Sequence, residues 1–143
     1  MVAMETTASS LFAESQHDPA LVQLLSSREF EALATVARLA RRGAFVLALT
    51  NTEASCRILV SDLKRRIAPL PLFEHTITAA QANPTDYLNA LTKKQQQARA
   101  VVCFYHLEAG WPDVAFWLDR QRDQLAKYPH TLVFWIQKAL WSK

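Results

Sequence analysis

One apolar segment, residues 99–108, constrains the fold of this chain more than any other stretch. It reads Arg-Ala-Val-Val-Cys-Phe-Tyr-His-Leu-Glu and ends in a carboxylate, Glu108. A short apolar run between polar residues is typical of a strand that is buried on both faces. Strands of that kind belong mostly to parallel sheets covered by helices, so the segment predicts an α/β domain with an interior strand at this position.

Three further segments predict strands of the same sheet. Ala44 to Leu49 is an unbroken apolar run, typical of a strand buried on both faces. Thr131 to Ile136 is predicted to be the last strand. Phe73 to Ala79 alternates apolar with polar residues, so it is expected nearer an edge of the sheet. Only about seven residues follow the last strand, so it is expected to be an exposed edge with little to cover it. The N-terminal helices, a partner or a further part of a larger protein are the alternatives for covering that edge.

Helical patterns separate these strands. Capping spacings, Ser26 with Glu29 and Thr50 with Glu53, mark two helix starts, and Asn83-Pro84 marks a third. Helices are expected over about residues 19–25, 26–42, 53–67, 84–97 and 112–125.

Strands that alternate with helices predict a three-layer α/β sandwich. Its sheet is expected to be mostly parallel, with about four strands flanked by helices and preceded by one or two N-terminal helices. A chain of 143 residues has the usual size of one domain, so residues 1–143 are assigned to a single domain. Residues 1–16 are mostly small or polar, and they are expected to be flexible.

Composition and charge limit the partners that the chain is expected to have. The net charge of +3 is small and the basic residues are dispersed, which does not favour nucleic acid. No segment approaches the roughly 20 apolar residues of a membrane span, and the first residues lack the pattern of a signal peptide. Cys56 and Cys103 lie in apolar runs, as buried thiols of a reducing compartment do. We therefore expect a cytoplasmic protein with no membrane partner.

The positions where parallel sheets usually bind ligands, beyond the carboxyl ends of the strands, hold no recognisable catalytic motif. The residues after Leu49 contain neither the glycines nor the lysine of a phosphate loop. The weak ligand candidates are Thr50, Asn51 and Thr52 at a helix start, for which capping is the simpler explanation, and the acid Glu108. We predict no cofactor, no metal and no enzymatic activity.

The histidines give no clear metal-binding pattern. His106 and Glu108 are two residues apart, a spacing that shares a face in a strand but not in a loop. His130 follows Pro129 in a predicted turn and is expected at the surface.

Aromatic residues are concentrated in the last third of the chain, and core packing explains most of them. Phe116 and Trp141 are harder to place in a core. Exposed aromatic residues beside an unpaired strand often anchor protein interfaces. The predicted interface comprises Phe116, Thr131, Val133, Trp135 and Trp141.

Four segments together resemble a bacterial family. They are Gly-Ala-Phe-Val-Leu-Ala-Leu-Thr-Asn before a helix, the strand end Phe-Tyr-His-Leu-Glu, the run Leu-Asp-Arg-Gln-Arg-Asp-Gln-Leu-Ala, and Thr-Leu-Val-Phe-Trp-Ile. Over about residues 28–137 the chain is similar to the degenerate P-loop-like α/β domain of bacterial tetratricopeptide-repeat and STAND-type signalling proteins. An active P-loop fold would carry a phosphate loop after Leu49 and an acid at Glu108, and only the acid is present. The resemblance implies a sensing or scaffolding part in bacterial signalling or anti-phage defence, without hydrolysis.

The sequence therefore predicts a non-catalytic protein-interaction or scaffold module on a degenerate nucleotide-binding-like fold, which binds a protein partner or associates with itself. The alternative is a small-ligand or nucleotide sensor that does not hydrolyse its ligand. The third interpretation is a nucleic-acid binder that uses Arg38, Arg41, Arg42, Arg57, Lys64, Arg65 and Arg66.

Overall fold

A parallel sheet of five strands forms the middle layer of the computed structural model, which describes residues 2–5, 28–39, 43–50 and 52–137. The strands are β1 (Val2–Glu5), β2 (Ala44–Thr50), β3 (Leu72–Thr76), β4 (Ala100–Tyr105) and β5 (His130–Gln137). Their order across the sheet is β1-β2-β5-β4-β3. The predicted α/β class, with a parallel sheet flanked by helices, is confirmed.

The additional strand, β1, lies in a segment for which the sequence predicts no strand. It pairs in parallel with β2, with Val2 opposite Val46 and Glu5 opposite Leu49. The predicted helix over residues 19–25 lies outside the described residues.

Helices cover both faces of the sheet. On one face lie α1 (Arg28–Leu39) and α2 (Glu53–Ile67), whose buried side chains share a core cluster. On the other face lie α3 (Pro84–Ala90), α5 (Asp113–Arg120) and α6 (Arg122–Leu125), which share a second cluster. The short helix α4 (Lys93–Gln97) leads into β4, and a 3-10 turn (Leu107–Gly110) leads out of it.

The alternation of side chains along β4 and β5 divides the core into these two clusters. Val101, Cys103, Val133 and Trp135 face α1 and α2, whereas Val102, Phe104, Leu132 and Phe134 face the opposite helices. The Phe104 and Phe134 rings stack across the two strands with their centroids 5.0 Å apart. β4 is therefore buried on both faces, as predicted. β2 is buried mainly on one face, because its alternate residues Phe45 and Leu47 are only half-buried.

The position of β5 in the middle of the sheet corrects the prediction that the last strand is an exposed edge. Residues from Thr131 to Gln137 lie opposite β2, and residues from His130 to Phe134 lie opposite β4. The connection through α2 carries the chain from β2 to β3, and β4 and β5 then fill the space between them. β3 is an edge strand of the described sheet, as its lower apolar content predicted.

His130 is buried, although the sequence predicts it at the surface. It is the first residue of β5 and none of it is exposed. Its Nε2 lies 2.9 Å from the backbone carbonyl oxygen of Gln95, and its Nδ1 has no hydrogen-bond partner among the described residues. Burial lowers the pKa of His130, although the hydrogen bond to Gln95 opposes this effect. The sequence predicted a turn at His130 because this residue follows Pro129, but β5 begins directly after that proline.

Replacing His130 with glutamine is expected to reduce the loss of stability at acidic pH. Because the folded pKa of His130 lies below the ordinary value of about 6.5, the unfolded chain binds more protons just below that pH. The free energy of unfolding of the wild type should therefore fall as the pH drops from about 6.5 toward the folded pKa. Urea unfolding between about pH 7.5 and about pH 5 measures this dependence.

The matched control is His75→Gln. Burial also lowers the pKa of His75, but its side chain is only half-buried, so the pH dependence should change less. The interpretation is wrong if His130→Gln keeps the wild-type dependence on pH.

Candidate functional site

The carboxyl-terminal ends of β3, β4 and β5 and one side of α2 enclose a cleft of about 410 Å³, which we call the cleft. Parallel sheets bind ligands at this edge, and the volume is within the range of small-molecule sites. The strands contribute Glu74, Thr76, Tyr105 and Gln137, and His106 follows β4 directly. The helix contributes Glu53, Cys56, Arg57, Val60, Ser61 and Lys64.

The helix α2 forms one wall of the cleft because its lining residues recur every three or four positions and so share one side. Near its start, Arg57 donates to Glu53 at 3.0 Å. Both side chains are largely exposed, so this ion pair adds little stability. Cys56 and Val60 point toward the sheet and are buried.

The strands β3 and β4 form the floor, where neighbouring side chains lie side by side. Glu74 lies beside Cys103, and Thr76 lies beside Tyr105. Burial raises the pKa of Cys103 and of Cys56 to about 12, and the nearby carboxylate of Glu74 adds to both shifts. Both thiols are therefore protonated at neutral pH, a form that is not nucleophilic.

The phenol of Tyr105 is also held in its neutral form. Burial is the main cause that raises its pKa, and the nearby carboxylate of Glu74 contributes. A neutral phenol both donates and accepts hydrogen bonds, so Tyr105 suits binding. Within the described ranges, no group of three or more His, Cys, Asp or Glu side chains is placed to hold a metal ion.

The residues predicted at the start of this helix have structural roles. Thr50 is buried at the end of β2, where its Oγ1 donates to the carbonyl oxygen of Ile136 at 3.5 Å. The N-cap of α2 is Thr52, whose Oγ1 accepts from the backbone N–H of Ser55 at 3.0 Å. The prediction of Thr50 as the cap is therefore wrong, because β2 extends through that residue. Asn51 lies outside the described residues.

Glu108, the predicted acid, lies beside His106 at the rim of the cleft. The carboxylate Oε1 of Glu108 is 2.7 Å from Nδ1 of His106. The contact is possible because His106 adopts a left-handed conformation, with φ 61° and ψ 48°, directly after β4. His106 lines the cleft, and Glu108 fixes the orientation of its ring.

The five predicted interface residues do not form one surface. Thr131, Val133 and Trp135 lie in β5 and are at most 3% exposed, so their assignment to an exposed edge is wrong. Trp141 lies outside the described residues. Phe116 is 50% exposed. Among the predicted interface residues that the structure describes, it alone lies at the surface.

Phe116 lies at the centre of a cluster on α5, formed by Phe116, Trp117 and Arg120, which we call the α5 surface. The Phe116 and Trp117 rings meet edge to face with centroids 5.2 Å apart, and the Arg120 guanidinium lies 4.8 Å above the Phe116 ring. Trp111, which precedes the same helix, is 52% exposed. The sequence pattern of Trp111-Pro112 indicates a helix start and gives no signal of that exposure.

Comparisons with known proteins found no match among family models, curated proteins or solved structures. Every helix in the described part of the chain is too short or too polar to cross a membrane. The resemblance to degenerate P-loop-like domains stays a prediction.

Trp135→Ala is expected to destabilise the chain by about 3–5 kcal/mol, because it leaves a cavity in the buried middle of the sheet. Phe116→Ala should cost about 1 kcal/mol or less, because that ring is half-exposed. Urea unfolding of both variants measures the difference. Equal losses of stability would contradict the placement of Trp135 in the core.

Proposed function

We propose that this chain is a non-catalytic protein-interaction module that binds a protein partner, or a second copy of itself, through the α5 surface. The observation that carries the proposal is that the Phe116 ring is half-exposed and lies in contact with the guanidinium of Arg120. Aromatic residues and arginine are the residue types that most often dominate binding energy at protein interfaces. The nearby exposed Trp111 adds a further aromatic side chain at the start of α5.

The chemistry of the described side chains supports a role in binding. The thiols of Cys56 and Cys103 are buried and protonated at neutral pH, so they lack the thiolate that nucleophilic catalysis requires. The sequence resemblance supports a place for this module in a cytoplasmic bacterial signalling or defence assembly.

A small-ligand sensor without hydrolysis is the second candidate function, and the cleft favours it. The cleft lies where parallel sheets usually bind ligands, and it has both charged and buried apolar lining residues. A ligand that binds only the folded state raises the melting temperature. Ser61→Trp places a bulky ring on the exposed wall of the cleft, so it should remove such a rise.

Phe116→Glu is expected to weaken the proposed association. Loss of an aromatic anchor at an interface commonly costs about 2 kcal/mol, or roughly a thirtyfold increase in Kd. Sedimentation at increasing protein concentration measures association of the chain with itself. For a different partner, wild-type and variant chains serve as baits, and the proteins that each bait retains are compared.

Thr35→Glu is the matched control, because it adds the same charge at an exposed position of α1, on the opposite face of the sheet. The control should associate like the wild type. The proposal is overturned if the wild type stays monomeric at every concentration and all three baits retain the same proteins.

A further inference from the structure

The cleft contains one charge of each sign that forms no ion pair among the described residues. These charges are Lys64 on α2 and Glu74 on β3. The other two charged lining residues, Arg57 and Glu53, pair with each other at 3.0 Å. The formal charge of the lining is therefore balanced when His106 is neutral, and a ligand meets an available cation and an available anion.

The lining of the cleft is also partly apolar. Cys56 and Val60 are buried beneath the wall of α2, and the ring of Tyr105 is half-buried. Burial is the main cause that raises the pKa of Cys56, and the carboxylates of Glu53 and Glu74 add to the shift. On the β3 side of the cleft the carboxylate of Glu74 forms no ion pair among the described residues, so that side favours a positively charged ligand group.

We infer that the cleft binds a small zwitterion, an amino acid or dipeptide with an apolar side chain. Its ammonium group would pair with Glu74, its carboxylate with Lys64, and its side chain would cover Val60 and the Tyr105 ring. This inference rests on the proposed sensor function and specifies the class of ligand. A volume of about 410 Å³ is sufficient for a molecule of this size.

Other ligand classes fit this distribution of charge less well. A nucleoside triphosphate brings several negative charges toward Glu53 and Glu74, and one of the two nearby cations is already paired. A polyamine meets the opposite difficulty, because Lys64 and Arg57 would repel it. A ligand with both charges can pair with Lys64 and with Glu74 at once, and neither of these exposed side chains would repel it as a whole.

Titration calorimetry with leucine, phenylalanine and the dipeptide Leu-Leu tests the inference on the complete chain. We expect at least one of these probes to bind. Glu74→Gln and Lys64→Gln should each weaken its binding by about threefold to about tenfold, the range between an exposed and a desolvated charged contact.

Modified ligands identify which charge each residue recognises. N-acetyl-leucine lacks the ammonium group that Glu74 is proposed to bind, so the wild type should bind it more weakly than leucine. Glu74→Gln should not weaken the binding of N-acetyl-leucine any further. Leucinamide lacks the carboxylate that Lys64 is proposed to bind, so the wild type should bind it more weakly than leucine. Lys64→Gln should not weaken the binding of leucinamide any further. Asp86→Asn on α3 and Lys93→Gln on α4 remove the same charges outside the cleft and should bind like the wild type.

The possible failures are distinguishable. If the zwitterions do not bind but ATP or AMP raises the melting temperature, and Ser61→Trp removes that rise, the zwitterion inference is wrong and the sensor function stands. If no zwitterion and no nucleotide binds, both are wrong. Binding of leucine that both charge-removing variants leave unchanged would also overturn the inference.

Discussion

The pairing of β5 between β2 and β4 is the interaction on which the rest of this structure depends. Without β5 the sheet consists of two separate pairs, β1 with β2 and β3 with β4. The strand joins them through backbone hydrogen bonds on both sides, and its alternating side chains enter both cores. Val133 and Trp135 pack under α1 and α2, while Leu132 and Phe134 pack under the opposite helices. Because this pairing joins distant parts of the chain, each core is completed only when the last strand is in place.

The same arrangement creates the cleft. The helix α2 crosses from β2 to the far edge of the sheet and packs on β4 and β5, whose residues share its core cluster. Glu74 and Thr76 on β3 therefore stay exposed beside the helix, and they form the floor with Tyr105. The end of β5 contributes Gln137. The charges that the proposed zwitterion would meet thus come from segments brought together by one crossover.

The two proposed binding surfaces belong to opposite layers of the molecule, since α2 and α5 cover different faces of the sheet. They are joined by a short connection in sequence. β4 ends at the cleft, His106 turns the chain, and the 3-10 turn leads directly to Trp111 and α5. Gly110 in this turn is tightly packed, because a Cβ atom there would lie 2.7 Å from the side chain of Ile77. A protein on the α5 surface and a ligand in the cleft would therefore occupy different faces next to one tightly packed connection.

The sequence by itself determined the α/β class, the buried strand β4, the edge position of β3 and the cap Asn83, because each depends on local periodicity or on neighbouring residues. The sequence singled out His106, Arg57 and Lys64 among the cleft residues, but not as parts of one site, since the cleft is spread from Glu53 to Gln137. Only the tertiary structure decided the order of the strands, the burial of His130 and the exposure of Trp111. The physical reason is that side-chain alternation shows which faces of a strand are buried, whereas strand order depends on where each crossover places the next strand.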